Sequence, residues 1–275
     1  MYLILFNPKS ITDTKKAALK LKHKLEKKKE EAEVHDIFEY DGKYDLLINK
    51  TPVTDKVVLV GGDGTVHHFI NYIRNKEIRH RFFLLTAGSG NDYSRGHKGK
   101  FFEITDEIKR LPTVKTKEKT ISFINGFGTG IDAAVCAAQA ANSKNAIKES
   151  YYKIAKKTFK SFQKFKIKYN IDGEIVKYDD VWFTVIQNGK YIGGGMKVAP
   201  KAKRDDNHLD IVIVRHLPRW RLLLIFPLIF LGMHKVSKYI EFRTGTHIEL
   251  ETTGYNNIQV DGEVTLNCNK FIIDN

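Results

Sequence analysis

The residues best placed to do chemistry in this 275-residue chain are an aspartate set among glycines, Gly61-Gly62-Asp63-Gly64-Thr65. A short β-branched apolar run, 57–60, precedes them, and a segment with Val66, Phe69, Ile70 and Ile73 at helical spacing follows. Glycines at such a junction let a ligand approach the backbone and permit positive φ. The helix start adds unpaired N–H groups and a partial positive charge, which suit phosphate. Asp63 would be repelled by phosphate unless a cation bridged the two, as Mg²⁺ does in phosphoryl-transfer sites. A tight turn capped by aspartate is the plainer reading of the pentapeptide alone. A second cluster, Gly88-Ser89-Gly90-Asn91-Asp92, follows the apolar run 82–86, and Arg95 lies three residues beyond it. Two such loops on neighbouring strands would face one cleft, with the guanidinium within reach.

Other phosphate and metal motifs are missing. There is no GxxxxGK[ST], no HRD or DFG triplet, and His67-His68 lacks the spacing of HExxH. Gly126-Phe127-Gly128-Thr129-Gly130 has Ile131 where GxGxxG would place its last glycine. Asp-Gly-Glu occurs twice, at 172–174 and 261–263, each between strand-like runs. Asp-Gly marks hairpin turns, yet either triplet could present a carboxylate as general base, and residue types alone do not choose between them.

The elements that must position these residues fall into two groups. Strand and helix signals alternate through the first third: a strand at Tyr2–Phe6, a helix from about 13 to 32, then the two strand–loop units above. That alternation predicts an α/β, Rossmann-like domain, a mostly parallel sheet with helices on both faces. Ligands bind such sheets beyond the carboxyl ends of the strands, where both glycine clusters fall. From about residue 120 short alternating runs take over, at Phe165–Ile171, 175–179, 182–187, 209–214, 239–242 and 247–251. They predict a mainly antiparallel, β-sandwich-like domain with helical insertions near 146–162 and 218–231. The expected domains are 1–119 and 120–275, divided in the Lys/Thr-rich stretch 117–120, with the C-terminal end able to return to the first domain.

Composition narrows the class. Apolar residues at 42% and charged residues at 28% describe a globular chain rather than a disordered one. Forty-six basic against 32 acidic side chains leave +14, which favours an anionic partner: nucleic acid, anionic lipid or a polyphosphate ligand. Cys136 and Cys268 stand far apart without metal-ligand spacing, as reduced thiols of a cytosolic protein would. The short apolar start ends at Asn7-Pro8 and reads as a first strand rather than a secretory signal. The most apolar stretch, 222–233, holds 12 residues and Pro227, whereas a bilayer needs about 20. Residues 144–168 carry nine lysines against Glu149 alone, interleaved with Tyr151, Tyr152, Phe159, Phe162 and Phe165. Such a helix either lies on an anionic membrane surface or packs on its aromatics behind a solvated lysine face. Residues 211–240 hold Arg215, Arg219, Arg221, Lys235 and Lys238 and no acid. Within them 222–231 is expected to form a buried helix kinked at Pro227 rather than a membrane anchor.

Together these residues resemble the diacylglycerol kinase catalytic-domain family, particularly its soluble bacterial lipid kinases. The likeness runs in order through Asn7-Pro8-Lys9-Ser10, the loops at 61–65 and 88–92, and Asn125 to Asp132. It continues with Asn188-Gly189, the glycines 193–195, Pro200-Lys201-Ala202, Asp205-Asp206 and Asp261-Gly262-Glu263. The resemblance implies a nucleotide cleft between an α/β domain and a β-sandwich-like domain. ATP and Mg²⁺ are the implied cofactors. Gly61, Gly62, Gly64, Thr65, Gly88, Ser89, Asn91, Asp92 and Arg95, with Asn7 and Ser10, would hold the nucleotide. Asp63 and Asp92 would hold metal and phosphate, Asp132 would support the acidic network, and Glu263 would act on the acceptor hydroxyl. A separate structural Mg²⁺ is implied at Asp206 with the backbone carbonyls of Lys203 and Leu209.

Ser89 replaces the family's threonine in GTxND and keeps a hydroxyl, while Asp206-Asn207 replaces the usual Asp-Gly. Asparagine is the next residue to tolerate positive φ. The expected activity is transfer of the γ-phosphate to a lipid hydroxyl, diacylglycerol first. The implied setting is the cytoplasm at the inner face of the membrane, with an anionic lipid surface rather than nucleic acid as partner, and a symmetric homodimer in keeping. NAD kinase, which shares a GGDGT loop, is the enzymatic alternative. A non-catalytic basic lipid-binding protein is the other, though it would leave both acidic loops idle.

Overall fold

A computed structural model describes residues 1–10, 12–39, 43–77, 79–88, 90–143, 149–234, 237–255 and 257–275, apart from the side chains of Tyr151, Tyr152, Leu223 and Phe226. The chain divides into two compact units, Met1–Leu111 and Pro112–Asn275.

In the first unit the strands β1 (Tyr2–Phe6), β2 (Ala32–Asp36), β3 (Lys56–Gly61), β4 (Arg81–Thr86) and β5 (Phe101–Glu103) form one sheet, ordered β2-β1-β3-β4-β5. The first four are parallel and β5 closes the edge antiparallel. Leu3, Ile4, Leu5 and all four residues of 57–60 are 0% exposed, so both faces of the central strands are covered. Helix α1 (Thr14–Glu26) starts where the Asp13 carboxylate caps the Lys16 N–H at 2.9 Å. It lays Ala18, Leu21 and Leu25 on Ile4, Phe6, Val58 and Val60, with its lysines outward. Two short helices not foreseen from the sequence, α2 (Tyr44–Ile48) and α4 (Thr105–Lys109), flank α3 (Asp63–Ile73) in chain order. Phe69 of α3 packs between Tyr44 and Phe82.

The second unit is a branched antiparallel sheet of eleven strands. In chain order these are β6 (Thr113–Lys115), β7 (Thr120–Ser122), β8 (Gly126–Gly130), β9 (Phe165–Ile171), β10 (Glu174–Gln187), β11 (Leu209–Arg215), β12 (Ile240–Gly245), β13 (His247–Thr253), β14 (Ile258–Val260), β15 (Glu263–Thr265) and β16 (Lys270–Asp274). Its helices are α5 (Ile131–Ser143), α6 (Tyr151–Ser161) and α7 (Arg219–Leu231). The branch lies in β10: its first half pairs with β9, and its second half pairs with β8 on one side and β11 on the other. Trp182, at that transition, is buried and donates its indole N–H to the Leu217 carbonyl at 2.7 Å.

Several expectations change. The division falls at 111/112 rather than 119/120, because β6 pairs with β16 and β7 and so belongs to the second sheet. The C-terminal strand lies in that sheet, between β13 and β6. The runs 175–179 and 182–187 are one strand with register shifts near Val181, and a helix, α5, follows the glycine-rich strand β8. Helix α7 is buried on one side only, with Leu224 and Leu231 65% and 67% exposed.

Candidate active site

In the first unit the loops after β1, β3 and β4 meet at the carboxyl edge of three adjacent strands. The Ala87 N–H donates to the Gly61 carbonyl at 2.9 Å, and the Asp63 N–H to the Gly90 carbonyl at 3.1 Å. The two glycine loops are so close that a Cβ on Gly62 would stand 2.5 Å from the Gly90 carbonyl oxygen, and one on Gly88 2.4 Å from the Gly62 Cα. Those contacts are to backbone, which cannot swing aside as a side chain does. The third loop joins through Thr12, whose hydroxyl donates to the Ala87 carbonyl and lies 3.2 Å from the Ser10 hydroxyl. Asn7 holds that loop from its other end, its side-chain oxygen accepting from the Lys9 N–H and its carbonyl from the Thr14 hydroxyl.

Asp63 binds the two glycine loops to each other. Its carboxylate accepts from the Asp92 N–H at 2.8 Å and the Tyr93 N–H at 3.0 Å. Asp92 is 4% exposed and receives the Arg95 Nε–H at 3.2 Å, while the rest of the Arg95 side chain reaches the surface. Asn91 donates to the Gly88 carbonyl at 2.6 Å, and its side-chain oxygen is buried with no hydrogen-bond partner. Around Gly64 there is open space where a Cβ would stand, at the start of α3 where N–H groups lack intrahelical acceptors. Thr65 is buried against Gly61. The structure thus brings together Asn7, Ser10, Gly61, Gly62, Asp63, Gly64, Thr65, Gly88, Asn91, Asp92 and Arg95; Ser89 lies outside the described residues.

The second unit gathers another acidic group. Asp132, on the first turn of α5, is half-buried, and desolvation pushes its carboxyl up to about 6. One of its oxygens accepts from Gln259 Nε2 at 3.2 Å; the other is buried without a partner. Gly128 makes room for it, since a Cβ there would stand 2.0 Å from Asp132 Oδ2. Cys136 lies one turn on, its thiol pushed up to about 12 by burial and then by the charges of Asp132 and Glu263. Gln259, in β14, also accepts the Gly262 N–H at 2.9 Å and so links Asp132 to the turn that carries Glu263.

The two Asp-Gly-Glu triplets are both hairpin turns with left-handed aspartates, φ 49° at Asp172 and 50° at Asp261. Their surroundings differ. Asp261 accepts three backbone N–H bonds, from Ile124 at 2.8 Å, Asn125 at 2.8 Å and Gly126 at 3.0 Å, pinning its hairpin to the approach to β8. Asp172 binds the 246–247 turn, and Glu174 makes an exposed pair with Arg243 at 3.0 Å. The 200–209 segment is tied in by Arg204, which donates to the Ile124 carbonyl and to Asn125 Oδ1 at 2.8 Å. Within it Asp206 is exposed, Asn207 takes φ 56°, and Leu209 opens β11. Asp210 is pushed up to about 6, first by burial and then by the Asp206 charge.

The donor chemistry fits hard cations held mainly by oxygen. Among the described residues no three His, Cys, Asp or Glu side chains converge, so a metal here takes one or two carboxylates with carbonyl, phosphate or water oxygens. The family resemblance implies two such sets, Asp63 with Asp92, and Asp206 with the carbonyls of Lys203 and Leu209. Sequence reasoning missed Thr12, Tyr93, Gln259 and Arg204, which act through hydrogen bonds between segments far apart in the chain. The alternation of polar Gln259 between buried Ile258 and Val260 was the one available signal.

A parallel sheet with acidic glycine loops at its carboxyl edge is followed in the chain by a branched antiparallel sheet, and a family model matches each of the two in turn. The diacylglycerol kinase catalytic domain matches residues 1–124, and the YegS C-terminal NAD kinase beta sandwich-like domain matches 126–269. A candidate lipid kinase of Bacillus subtilis, YtlR, is 27% identical over 239 residues, 76% of this chain and 74% of that one. A diacylglycerol kinase of Mycobacterium tuberculosis is 23% identical over 237 residues, 82% and 75% of the two chains. A crystal structure described as a diacylglycerol kinase from Bacillus anthracis superposes with a TM-score of 0.67 at 22% identity, covering 99% of this chain and 93% of that one. The chain belongs to the diacylglycerol kinase family of lipid kinases.

Proposed function

We propose that this kinase transfers the γ-phosphate of ATP to the hydroxyl of diacylglycerol, giving phosphatidic acid, from the cytoplasmic side of the membrane. The observation that carries the reading is the convergence of three strand-end loops on Asp63, with glycines at 62 and 88 where no Cβ fits. Backbone N–H groups at the start of α3 cradle phosphate oxygens, and Arg95, anchored on Asp92, adds positive charge beside them. Mg²⁺, when bound, neutralises charge on the transferring phosphate. Asp63 and Asp92 would hold that ion, since hard divalent cations take carboxylate oxygens together with phosphate and water oxygens. Asp206 with the Lys203 and Leu209 carbonyls would hold a second, structural ion.

Glu263 takes the acceptor proton as the hydroxyl oxygen bonds to phosphorus and the bond to the ADP oxygen breaks. Glu263 is favoured over Glu174 by its surroundings: its charge is felt at Cys136, one turn along α5 from Asp132, and Gln259 ties its turn to the Asp132 carboxylate. Asp132 and Gln259 are positioning residues for the hairpin that bears it. The test is a kinase assay with purified chain across diacylglycerol, sphingoid bases, polyprenols, phosphatidylglycerol and NAD⁺, with products identified by mass spectrometry. Phosphatidic acid as the main product supports the reading; phosphorylated NAD⁺, or no product from any acceptor, overturns it.

A further inference from the structure

Beyond Arg219 and Arg221 the sequence of helix α7 is apolar throughout, yet the helix lies at the surface. Leu222 and Ile229 point inward, 4% and 3% exposed, while Trp220, Leu224, Leu228 and Leu231 are 59%, 65%, 37% and 67% exposed. These four fall at i, i+4, i+8 and i+11, one line along the helix. Met233, just past the left-handed Gly232 cap, extends the ridge at 57% exposure. A contiguous apolar ridge of this kind marks an interaction surface.

Its borders are cationic and aromatic. The Arg221 guanidinium lies 4.9 Å from the Trp220 ring centre and 5.6 Å from that of Tyr239, and donates to the Tyr239 hydroxyl. Lys238 lies over the same Tyr239 ring at 5.4 Å. Arg219 joins α7 to the end of α6, donating to the carbonyls of Phe159, Lys160 and Phe162. The helix whose end Arg219 holds carries exposed Lys153, Lys156, Lys157 and Lys160, the first and third of them paired with Glu149, and residues 211–240 contain no acid.

We infer that the exposed face of α7 inserts into an anionic lipid bilayer, lying in the plane of its interface. Thirteen helical residues reach about 20 Å, short of the roughly 30 Å apolar core, so the helix cannot cross. No helix among the described residues is long and apolar enough to do so. Trp and Tyr with basic neighbours occupy the headgroup level while leucines reach the acyl chains. A second copy is the weaker occupant, because a two-fold contact on this ridge would bring Arg219, Arg221 and Lys238 against their own copies. The inference extends the lipid-kinase reading to how the chain meets its acceptor, but it stands on α7 and its basic, aromatic border without the catalytic residues.

Trp182, the other of the two tryptophans, is 1% exposed, so Trp220 supplies a site-specific signal. The full chain is mixed with vesicles of equimolar phosphatidylcholine and phosphatidylglycerol, without nucleotide or diacylglycerol, and Trp emission and co-sedimentation are followed. Emission shifts to the blue and is quenched by brominated lipid; Trp220→Phe removes both signals. Leu224→Glu/Leu231→Glu weakens co-sedimentation by about tenfold or more, Leu224→Phe/Leu231→Phe retains it, and unchanged circular dichroism shows that both fold. Turnover of a short-chain, water-soluble diacylglycerol stays as in the wild type for the glutamate variant. Absent kinase activity would remove the catalytic reading and leave vesicle binding as predicted. The inference is overturned if Trp220 is unquenched on sedimenting protein, if the glutamate variant binds as the wild type does, or if that variant only dissolves a dimer.

Discussion

Replacing Asp261 separates a turn residue from an anchor. A hairpin turn alone needs a residue that accepts φ 50°, which asparagine does nearly as well as aspartate. The carboxylate does more: Oδ1 accepts from Asn125 and Gly126, and Oδ2 accepts from Ile124, all at 2.8–3.0 Å. At about 1.5 kcal/mol for each bond to a charged acceptor, the three contribute about 4–5 kcal/mol, less what water restores at a half-buried site. Asp261→Ala adds about 1 kcal/mol of left-handed strain, for a loss of about 3–5 kcal/mol. Asp261→Asn keeps the two bonds to its oxygen and turns an amide N–H₂ toward Ile124, for about 1–2 kcal/mol. Thermal unfolding followed by circular dichroism measures both, and each kcal/mol corresponds to about 2–4 °C at this size. Turnover falls in Asp261→Ala because the hairpin carries Glu263, while nucleotide affinity stays near wild type because the phosphate loops lie in the first unit. The reasoning is refuted if the alanine variant melts no lower than the asparagine variant, or if nucleotide affinity falls with turnover.

Asp63→Ala and Glu263→Ala each abolish turnover, and Asp63→Ala also lowers stability by about 2–3 kcal/mol through two lost charge-assisted bonds; steady-state kinetics and melting curves check both. Glu174→Ala removes only an exposed pair with Arg243, costs about 0–1 kcal/mol and leaves the kinetics unchanged; an inactive Glu174→Ala would exchange the two glutamates' roles. Gly62→Ala forces the glycine loops apart at a backbone contact of 2.5 Å, destabilising the fold by about 1–3 kcal/mol and weakening ATP binding in titration calorimetry. Asp132 is raised from 3.8 to about 6 in the folded chain. The folded state therefore holds its proton more tightly, and the group's contribution to stability is lost as pH rises from about 4 to 6. That loss amounts to about 3 kcal/mol, and Asp132→Asn should flatten the slope of denaturant stability across this window.

The glycine loops were legible because consecutive glycines between an apolar strand and a helical period leave few alternatives, and parallel order placed them at one edge. The strands of the second unit were legible from alternation, as in Phe165–Ile171 with every second residue buried. What escaped depends on contacts between distant segments. Gly126, Gly128 and Gly130 looked like an incomplete nucleotide motif, yet they lie in a strand where Cβ atoms would meet Gln187, Asp132 and Phe183. The alanine-rich α5 gives little contrast between faces, so its helix did not stand out. On α7 both faces are apolar, and only packing shows which of them the unit leaves uncovered. Asp261 read as turn chemistry because the three amides it binds lie more than 130 residues away.

The most direct test of the central claim is transfer of label from γ-³²P-ATP to diacylglycerol in mixed micelles, with and without Mg²⁺, for the wild type and Asp63→Ala. The account predicts labelled phosphatidic acid from the wild type with Mg²⁺, and none from the variant or after chelation. Label in phosphatidic acid at wild-type rate from Asp63→Ala, or no labelled lipid from the wild type, would contradict it.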